Sequence, residues 1–107
     1  MSKYFKEIET NMNKNFLFVL DEAREFAGIP FVINSAYRSP THPESIKNPT
    51  SSHIKGLAVD IKATDSTTRF KIIEALLSVG FTRIGIADTF IHVDLDFDKT
   101  QDVIWTY

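Results

Sequence analysis

The chain has 107 residues with a formal net charge of −2 at pH 7, and it contains no cysteine. The composition is that of an ordinary globular protein. This length supports one hydrophobic core, so we expect residues 1–107 to form a single domain. We also expect the protein to be a monomer. The slightly acidic charge provides no basic surface for nucleic acid, and without cysteine any metal must be held by nitrogen and oxygen ligands.

Targeting signals are not recognisable in the sequence. The N-terminal residues carry charges where a signal peptide needs an apolar run. No stretch approaches the roughly 20 consecutive apolar residues of a membrane span. We therefore expect a protein made in the cytoplasm without its own export signal and without a membrane partner.

The first strong element is an amphipathic helix. Asn11 or Asn13 can cap it, and Gly28 ends it. Apolar residues recur along it at three- and four-residue steps, as in a helix that faces a core. This predicted core face comprises Phe16, Val19, Leu20, Ala23 and Phe26.

Arg38 ends a strand that the alternation of residues 31–38 predicts. On the more polar face of that strand, its planar guanidinium would suit a substrate carboxylate, to which it can donate two parallel hydrogen bonds. The alternative is a solvated surface arginine. Residues 40–50 are rich in proline and polar residues and predict a loop, in which His42 and Glu44 are interpreted as solvated.

A strand with one apolar and one polar face is predicted at residues 57–62. The apolar face comprises Leu57, Val59 and Ile61. Period-two alternation puts Asp60 on the opposite face. His53 precedes this strand, and Gly56 can supply a turn that brings its imidazole back towards Asp60.

A second helix is predicted after Lys62, with Asp65 or Ser66 as its cap and Gly80 at its end. Its apolar face is predicted to comprise Phe70, Ile73, Leu76 and Leu77. The strand predicted at residues 81–87 contains Gly85, which indicates a close approach by another group.

The C-terminal third contains a further imidazole on a strand. A turn at residues 88–89 leads to a strand at residues 90–95, with His92 and Asp94 on its polar face. The acidic tail that follows ends in Trp105 and Tyr107, whose rings we expect to cover the core.

These two polar strand faces predict a metal site. If both strands belong to one sheet and bury their apolar sides, His53, Asp60 and His92 converge on the open side. Two imidazoles and one carboxylate, with a fourth position left for water, are the ligand pattern of a catalytic zinc ion.

The combination of motifs resembles a known enzyme family. Ser51-x-His53-x-x-Gly56-x-Ala58-x-Asp60 is preceded by Tyr37-Arg38-Ser39 and followed by His92-Val93-Asp94. This pattern resembles the zinc D-alanyl-D-alanine carboxypeptidases, a family that also includes L-alanyl-D-glutamate endolysins and murein crosslink endopeptidases. The resemblance covers roughly residues 13–107, and several positions matched in order are more specific than an isolated His…Asp…His.

The resemblance implies a fold and a set of roles. The expected fold is α+β, hedgehog/DD-peptidase-like, with a small antiparallel sheet, helices packed on one side and zinc on the open face. Zinc would be bound by His53, Asp60 and His92, Arg38 would bind a peptide carboxylate, and Ser51 would orient substrate or ligand. The implied activity is hydrolysis of a bond in the stem peptide or crosslink of peptidoglycan.

One position departs from the family pattern. Many relatives carry Glu or Asp three residues before the last zinc histidine, as the general base, and this chain has Thr89 there. The resemblance therefore leaves Asp88, one residue earlier, and Asp94, two residues after His92, as candidates. We predict Asp88 as the base, and Asp94 as the residue that orients a ligand or as the alternative base.

Three readings follow from this pattern. The first is an active zinc peptidase, whose compact chain would suit a phage-encoded lytic enzyme or a virion component. The second is an inactive module that holds zinc and binds peptide or wall through Arg38. The third is a purely structural site; calcium is disfavoured there because it requires six or more oxygen ligands, and structural zinc would need a fourth protein ligand from Asp88, Asp94 or His42.

Overall fold

Five strands form one sheet in a computed structural model that describes residues 2–107. The helices are α1 (Lys14–Ala27), α2 (Pro43–Lys47) and α3 (Ser66–Ser78), with a 3-10 turn at Lys6–Ile8. The strands are β1 (Ile33–Ser35), β2 (Ala58–Lys62), β3 (Arg83–Ile86), β4 (Phe90–Asp94) and β5 (Val103–Thr106). The strand order is β1-β2-β4-β3-β5. The α+β class predicted from the sequence is confirmed.

The alternation of apolar and polar residues along β2, β3 and β4 separates a core face from a polar face. The core face comprises Val59, Ile61, Ile84, Ile91 and Val93, all fully buried. It belongs to one hydrophobic cluster with residues of α1 and α3, including Phe16, Leu20, Ile72 and Leu76. Full burial of each such side chain stabilises the fold by roughly 1.5–3 kcal/mol. The opposite face is therefore the one that carries the polar residues of β2 and β4.

Helix α1 is capped as predicted, by Asn13, whose side chain accepts a hydrogen bond from the backbone N–H of Phe16 at 2.9 Å. It ends at Gly28, which has the left-handed φ of 67°. The buried face comprises Phe16, Leu17, Leu20 and Ala23. Phe26, predicted in the core, is 55% exposed. The buried stripe is rotated towards Leu17, which moves Phe26 beyond its edge.

Helix α3 begins after the predicted cap, Asp65, whose carboxylate accepts from the N–H of Thr68 at 2.7 Å. Its buried residues are Ile72, Ala75 and Leu76. The predicted face was wrong for Phe70 and Leu77, which are 65% and 49% exposed. The helix's own apolar residues lie on several of its sides, so their periodicity alone does not select the buried face. The face that packs inward is the one that contains the small Ala75.

Three segments differ from the sequence-based expectations. The strand predicted over residues 31–38 is limited to Ile33–Ser35, so Arg38 lies beyond the end of β1. Within the predicted loop, residues 43–47 form α2, because Pro43 suits a first helical turn and the His42 Nδ1 accepts from the N–H of Glu44 at 3.1 Å. The C-terminal tail forms β5, which pairs with β3 in parallel, whereas the other pairs are antiparallel. Among residues 2–107, no helix is both long and apolar enough to cross a membrane.

Candidate active site

A cavity of about 430 Å³ opens over the polar face of the sheet. Its wall carries three cationic side chains, three carboxylates and two imidazoles. These are Arg38, Arg83, Lys99, Glu44, Asp60, Asp94, His53 and His92. The cavity therefore combines candidate metal ligands with groups that can bind charged parts of a substrate.

His53, Asp60 and His92 meet in this cavity, with one ligand atom of each lying within 4.8 Å of the others. Asp60 Oδ1 is 3.4 Å from His53 Nε2 and 3.0 Å from His92 Nδ1. Asp60 and His92 are direct partners in the β2/β4 pair. Strand register thus aligns two of the three groups, and the third comes from the turn before β2.

A tight turn over residues 51–56 delivers His53 to the site. Within it, the N–H of Gly56 donates to the carbonyl of His53 at 3.2 Å. Gly56 has a left-handed φ of 69°, and a Cβ there would collide with the backbone of Asn11. The N–H of Asn13 also donates to the carbonyl of Gly56 at 2.9 Å. Glycine is therefore required at this position, both by conformation and by close packing.

The imidazole of His53 is oriented by a backbone carbonyl. Its Nδ1 lies 2.9 Å from the carbonyl oxygen of Ala36, to which only a protonated nitrogen can donate. This hydrogen bond leaves Nε2, the nitrogen that faces Asp60, with its lone pair available. Metal-binding histidines are commonly held in this way, through the ring nitrogen that does not bind the metal.

The imidazole of His92 lies between two carboxylates. Nδ1 is 3.0 Å from Asp60 Oδ1, and Nε2 is 2.7 Å from Asp94 Oδ2. Burial by itself lowers the pKa of His92, but its hydrogen bonds to Asp60 and Asp94 outweigh burial and raise that pKa above 6.5. The raised pKa favours the doubly protonated imidazole, in which Nδ1 carries a proton at the position where a metal would bind.

Asp60 is held in its ionised form. Burial raises the pKa of this carboxyl, but its interactions with the imidazoles of His53 and His92 outweigh that effect and lower the pKa to about 2. Asp94 behaves similarly: burial raises its pKa, whereas the hydrogen bond from His92 and other partners lower it overall. Both carboxylates are thus negatively charged at neutral pH, as ligands or partners of a cation must be.

Asp94 is fully engaged by its neighbours. One oxygen accepts from His92, and the other accepts from Arg83 Nε at 2.8 Å. The carboxylate is almost completely buried. This is the arrangement of a residue that orients a metal-binding histidine, and it leaves neither oxygen without a partner.

The donor set fits zinc. Two imidazole nitrogens and one carboxylate oxygen suit its preference for nitrogen and oxygen ligands, and three protein ligands leave a position open. The fit also extends to the surrounding hydrogen bonds. His53 is held by Ala36 and His92 by Asp94, so one nitrogen of each ring is directed to the same point near Asp60.

Arg38 and Ser51 both line the same cavity. The N–H of Arg38 donates to the carbonyl of His53 at 3.1 Å, and its Nη2 donates to Ser35 Oγ at 3.0 Å. Ser51 is buried, and its Oγ accepts from the N–H of His53 at 3.3 Å. Both residues are therefore attached to the turn that carries His53, and Arg38 is half-buried at the cavity wall rather than freely solvated.

Asp88 lies at the exposed tip of the β3/β4 hairpin, where the N–H of Ala87 donates to the carbonyl of Phe90 at 3.0 Å. It is not among the residues that line the cavity. A role for Asp88 as general base stays a prediction, and the position of its carboxylate does not support it. Glu44 was interpreted as a solvated loop residue, yet α2 brings it to the cavity wall.

Sequence reasoning also missed several aromatic and basic residues of the wall: Arg83, Lys99, Phe90, Trp105 and Tyr107. Trp105 was expected to cover the core, but its ring lies on the polar face, 5.5 Å from that of His92. The signal that could have located it is Gly85, which the sequence marked as a point of close approach and over which the indole lies.

Comparison with known proteins identifies the family. The peptidase M15 family model matches residues 3–94. A similar fold is found in the crystal structure of the Serratia marcescens L-Ala D-Glu endopeptidase ChiX, with a TM-score of 0.62, 16% sequence identity, and coverage of 92% of this chain and 90% of that one. A search of curated proteins finds no match. The chain belongs to the peptidase M15 family.

Proposed function

We propose that this member of the peptidase M15 family is a zinc-dependent peptidase that hydrolyses a bond in the stem peptide or crosslink of peptidoglycan. The observation that carries the proposal is the convergence of His53, Asp60 and His92 in one cavity that also contains Arg38. The peptidoglycan substrate is supported by the family and by the fold shared with an L-Ala D-Glu endopeptidase.

Zinc bound by these three residues would polarise the scissile carbonyl and lower the pKa of water. The protein's own contribution is to hold the ligands in the correct protonation state. Asp60 is ionised because its pKa is near 2. His53 is held as the tautomer with Nε2 free, because its Nδ1–H donates to Ala36. Asp94 accepts from Nε2 of His92 and so directs Nδ1 towards Asp60.

Arg38 is proposed to bind a carboxylate of the peptide substrate. Its guanidinium lies at the wall of the cavity and uses Nη2 to donate to the neutral hydroxyl of Ser35. No carboxylate within residues 2–107 forms an ion pair with it, so its charge is available for a ligand. Ser51, which accepts from the His53 N–H, would support the same turn and face the substrate.

Proton transfer to the leaving amine requires a carboxylate that can reach the substrate. The cavity wall carries Glu44, Asp60 and Asp94. Asp60 is a proposed ligand, and both oxygens of Asp94 are occupied by His92 and Arg83. Within residues 2–107, the Glu44 carboxylate forms no hydrogen bond or ion pair. We therefore assign proton transfer to Glu44, with Asp88 as the alternative that the family's pre-strand position suggests.

An inactive module that holds zinc and binds peptide or wall is the second candidate function. It is favoured by Thr89, which occupies the position where many relatives carry their acid, and by the exposure of Asp88 outside the cavity wall. Such a module would keep the metal and the Arg38 contact, but it would not turn over substrate.

The site of action is part of the proposal. We propose that the protein is a monomer that acts on the cell wall after release from the cytoplasm or as part of a virion. We propose that it is a phage-encoded lytic enzyme or a virion component.

The deciding experiment is incubation of the purified protein with sacculi and with defined muropeptides, followed by mass analysis of the products. Cleavage should require zinc, disappear with chelator and return when zinc is added back. The double variant His53→Ala/His92→Ala is the control for a contaminating hydrolase. Zinc binding without any product from the wild-type protein would favour the inactive module.

A further inference from the structure

Trp105 reaches a candidate metal ligand across an intervening strand. In the parallel β3/β5 pair its Cα partner is Gly85, and in the antiparallel β3/β4 pair the partner of Gly85 is His92. All three residues therefore share the polar face of the sheet. The centroid of the indole lies 5.5 Å from that of the His92 imidazole, with 49° between the ring planes. The edge strand thus contributes directly to the site.

Gly85 makes this contact possible. A Cβ at this position would lie 2.7 Å from Cε2 and Nε1 of Trp105, which is closer than real Cβ atoms approach other atoms. The backbone of Gly85 does not have a positive φ, so its conformation does not itself require glycine. Glycine in a strand interior often marks a close approach of this kind. Any larger residue here would displace the indole from His92.

The indole of Trp105 also contacts Arg83. The guanidinium lies 5.0 Å from the ring centroid, in a cation–π contact. Arg83 Nε also donates to Asp94, and Asp94 accepts from Nε2 of His92. The four side chains therefore form a ring of contacts. Trp105 contacts Arg83, Arg83 contacts Asp94, Asp94 contacts His92, and His92 contacts Trp105.

We propose that Trp105 is a positioning residue for the metal site. By filling the space over Gly85 and packing against the imidazole, it holds His92 with Nε2 towards Asp94 and Nδ1 towards Asp60. A half-turn of the imidazole would replace both nitrogens by carbons at these contacts. The inference rests on the proposed zinc site, and it extends that site to β5, which lies outside residues 3–94 matched by the family model.

The test measures zinc affinity by competition with a chromophoric chelator, independently of activity. Trp105→Ala should weaken zinc binding roughly 10–100-fold, as loss of a residue that orients a ligand does. Trp105→Phe, which keeps a ring against His92, should recover most of the affinity. Ile104→Ala is the matched control, since Ile104 neighbours Trp105 on β5, is 53% exposed and alternates to the opposite face.

Gly85→Ala provides a second route to the same displacement, with the indole still present. Because Trp105 is the chain's single tryptophan, its emission reports on this site alone. Gly85→Ala should shift the emission to longer wavelength and weaken zinc binding, with the circular dichroism unchanged. In the wild type and in Ile104→Ala, zinc should change the emission of Trp105.

The outcomes separate this inference from the proposed function. A wild-type protein that binds no zinc would overturn the proposed function and this inference together. A wild type that binds zinc, with the same affinity in Trp105→Ala, would overturn the positioning role alone. Equal losses in Trp105→Ala and Ile104→Ala would also overturn it, since the effect would then be a general consequence of weakening β5.

Discussion

His92 and Asp94 are joined by a hydrogen bond of 2.7 Å between the imidazole Nε2 and the carboxylate Oδ2. This bond determines which nitrogen of His92 is available in the cavity. Because Nε2 is engaged, Nδ1 is the atom that faces Asp60, at 3.0 Å. The residue two positions after the candidate ligand thus acts on the orientation of that ligand.

The first prediction concerns metal content. The purified protein should bind about one zinc ion per chain, as sites with three protein ligands do. His53→Ala and His92→Ala should each lose the metal and the activity while keeping the fold, measured by elemental analysis and circular dichroism. His42→Ala is the control, since this exposed histidine caps α2 and should leave zinc unchanged. Full zinc occupancy in the double variant His53→Ala/His92→Ala would rule out the site.

The second prediction separates the two roles considered for Asp94. Asp94→Asn should weaken zinc affinity roughly 10–100-fold, because the amide accepts less strongly from His92 and cannot balance Arg83. With saturating zinc, turnover should largely return. Asp98→Asn, at an exposed acid nearby, is the matched control. If Asp94→Asn binds zinc with normal affinity but does not hydrolyse substrate, Asp94 is instead the general base.

The third prediction concerns Arg38. Arg38→Ala should reduce kcat/KM on substrates with a carboxylate near the cleaved bond, by about 2–3 kcal/mol in transition-state binding, as loss of charged hydrogen bonds does. Arg38→Lys should recover part of this loss, because an ammonium cannot donate two parallel hydrogen bonds. Lys71→Ala removes one positive charge from the exposed side of α3 and should have no effect. Unchanged kinetics in both Arg38 variants would show that Arg38 does not bind the substrate.

The fourth prediction concerns the general base. Glu44→Gln should bind zinc normally and lose roughly 10²–10⁴-fold in kcat, the usual contribution of a positioned base. Asp88→Asn should retain activity, because its carboxylate lies at the exposed hairpin tip outside the cavity wall. The opposite result, with Asp88→Asn inactive and Glu44→Gln active, would establish the role first predicted for Asp88.

The fifth prediction concerns the pH dependence of stability in the presence of chelator. The raised pKa of His92 stabilises the metal-free fold fully below about pH 6.5, and this stabilisation is lost as pH rises through the folded-state pKa. The lowered pKa of Asp60 contributes stability above pH 3.8, which is lost as pH falls towards 2. The Tm without metal should therefore decline from mildly acidic to alkaline pH.

Zinc should reverse this trend, because the metal competes with the proton on His92 and binds better when that proton is lost. The Tm increase caused by zinc should thus be larger at alkaline than at mildly acidic pH. His92→Gln should flatten the chelator profile above pH 6, whereas His42→Ala should not. A metal-free Tm that rises between pH 6 and 9 would contradict the assignment.

Local sequence patterns determined much of this molecule. Period-two alternation put Asp60 on the polar face of β2, and His92 with Asp94 on that of β4. Asn13 and Asp65 were recognisable as helix caps. These features depend on residues a few positions apart, because side-chain direction in a strand and the hydrogen bonds of a first helical turn are set by the neighbouring backbone.

Contacts between distant segments were decided only by the tertiary structure. The register that pairs Asp60 with His92, the position of Glu44 on the cavity wall and the outward tip that carries Asp88 all follow from how whole elements pack. The sequence marked Gly85 as a point of close approach but could not name Trp105 as the group that approaches. That contact requires β5 to pair with β3 in parallel, and such pairing is set by long-range packing, which local periodicity does not encode.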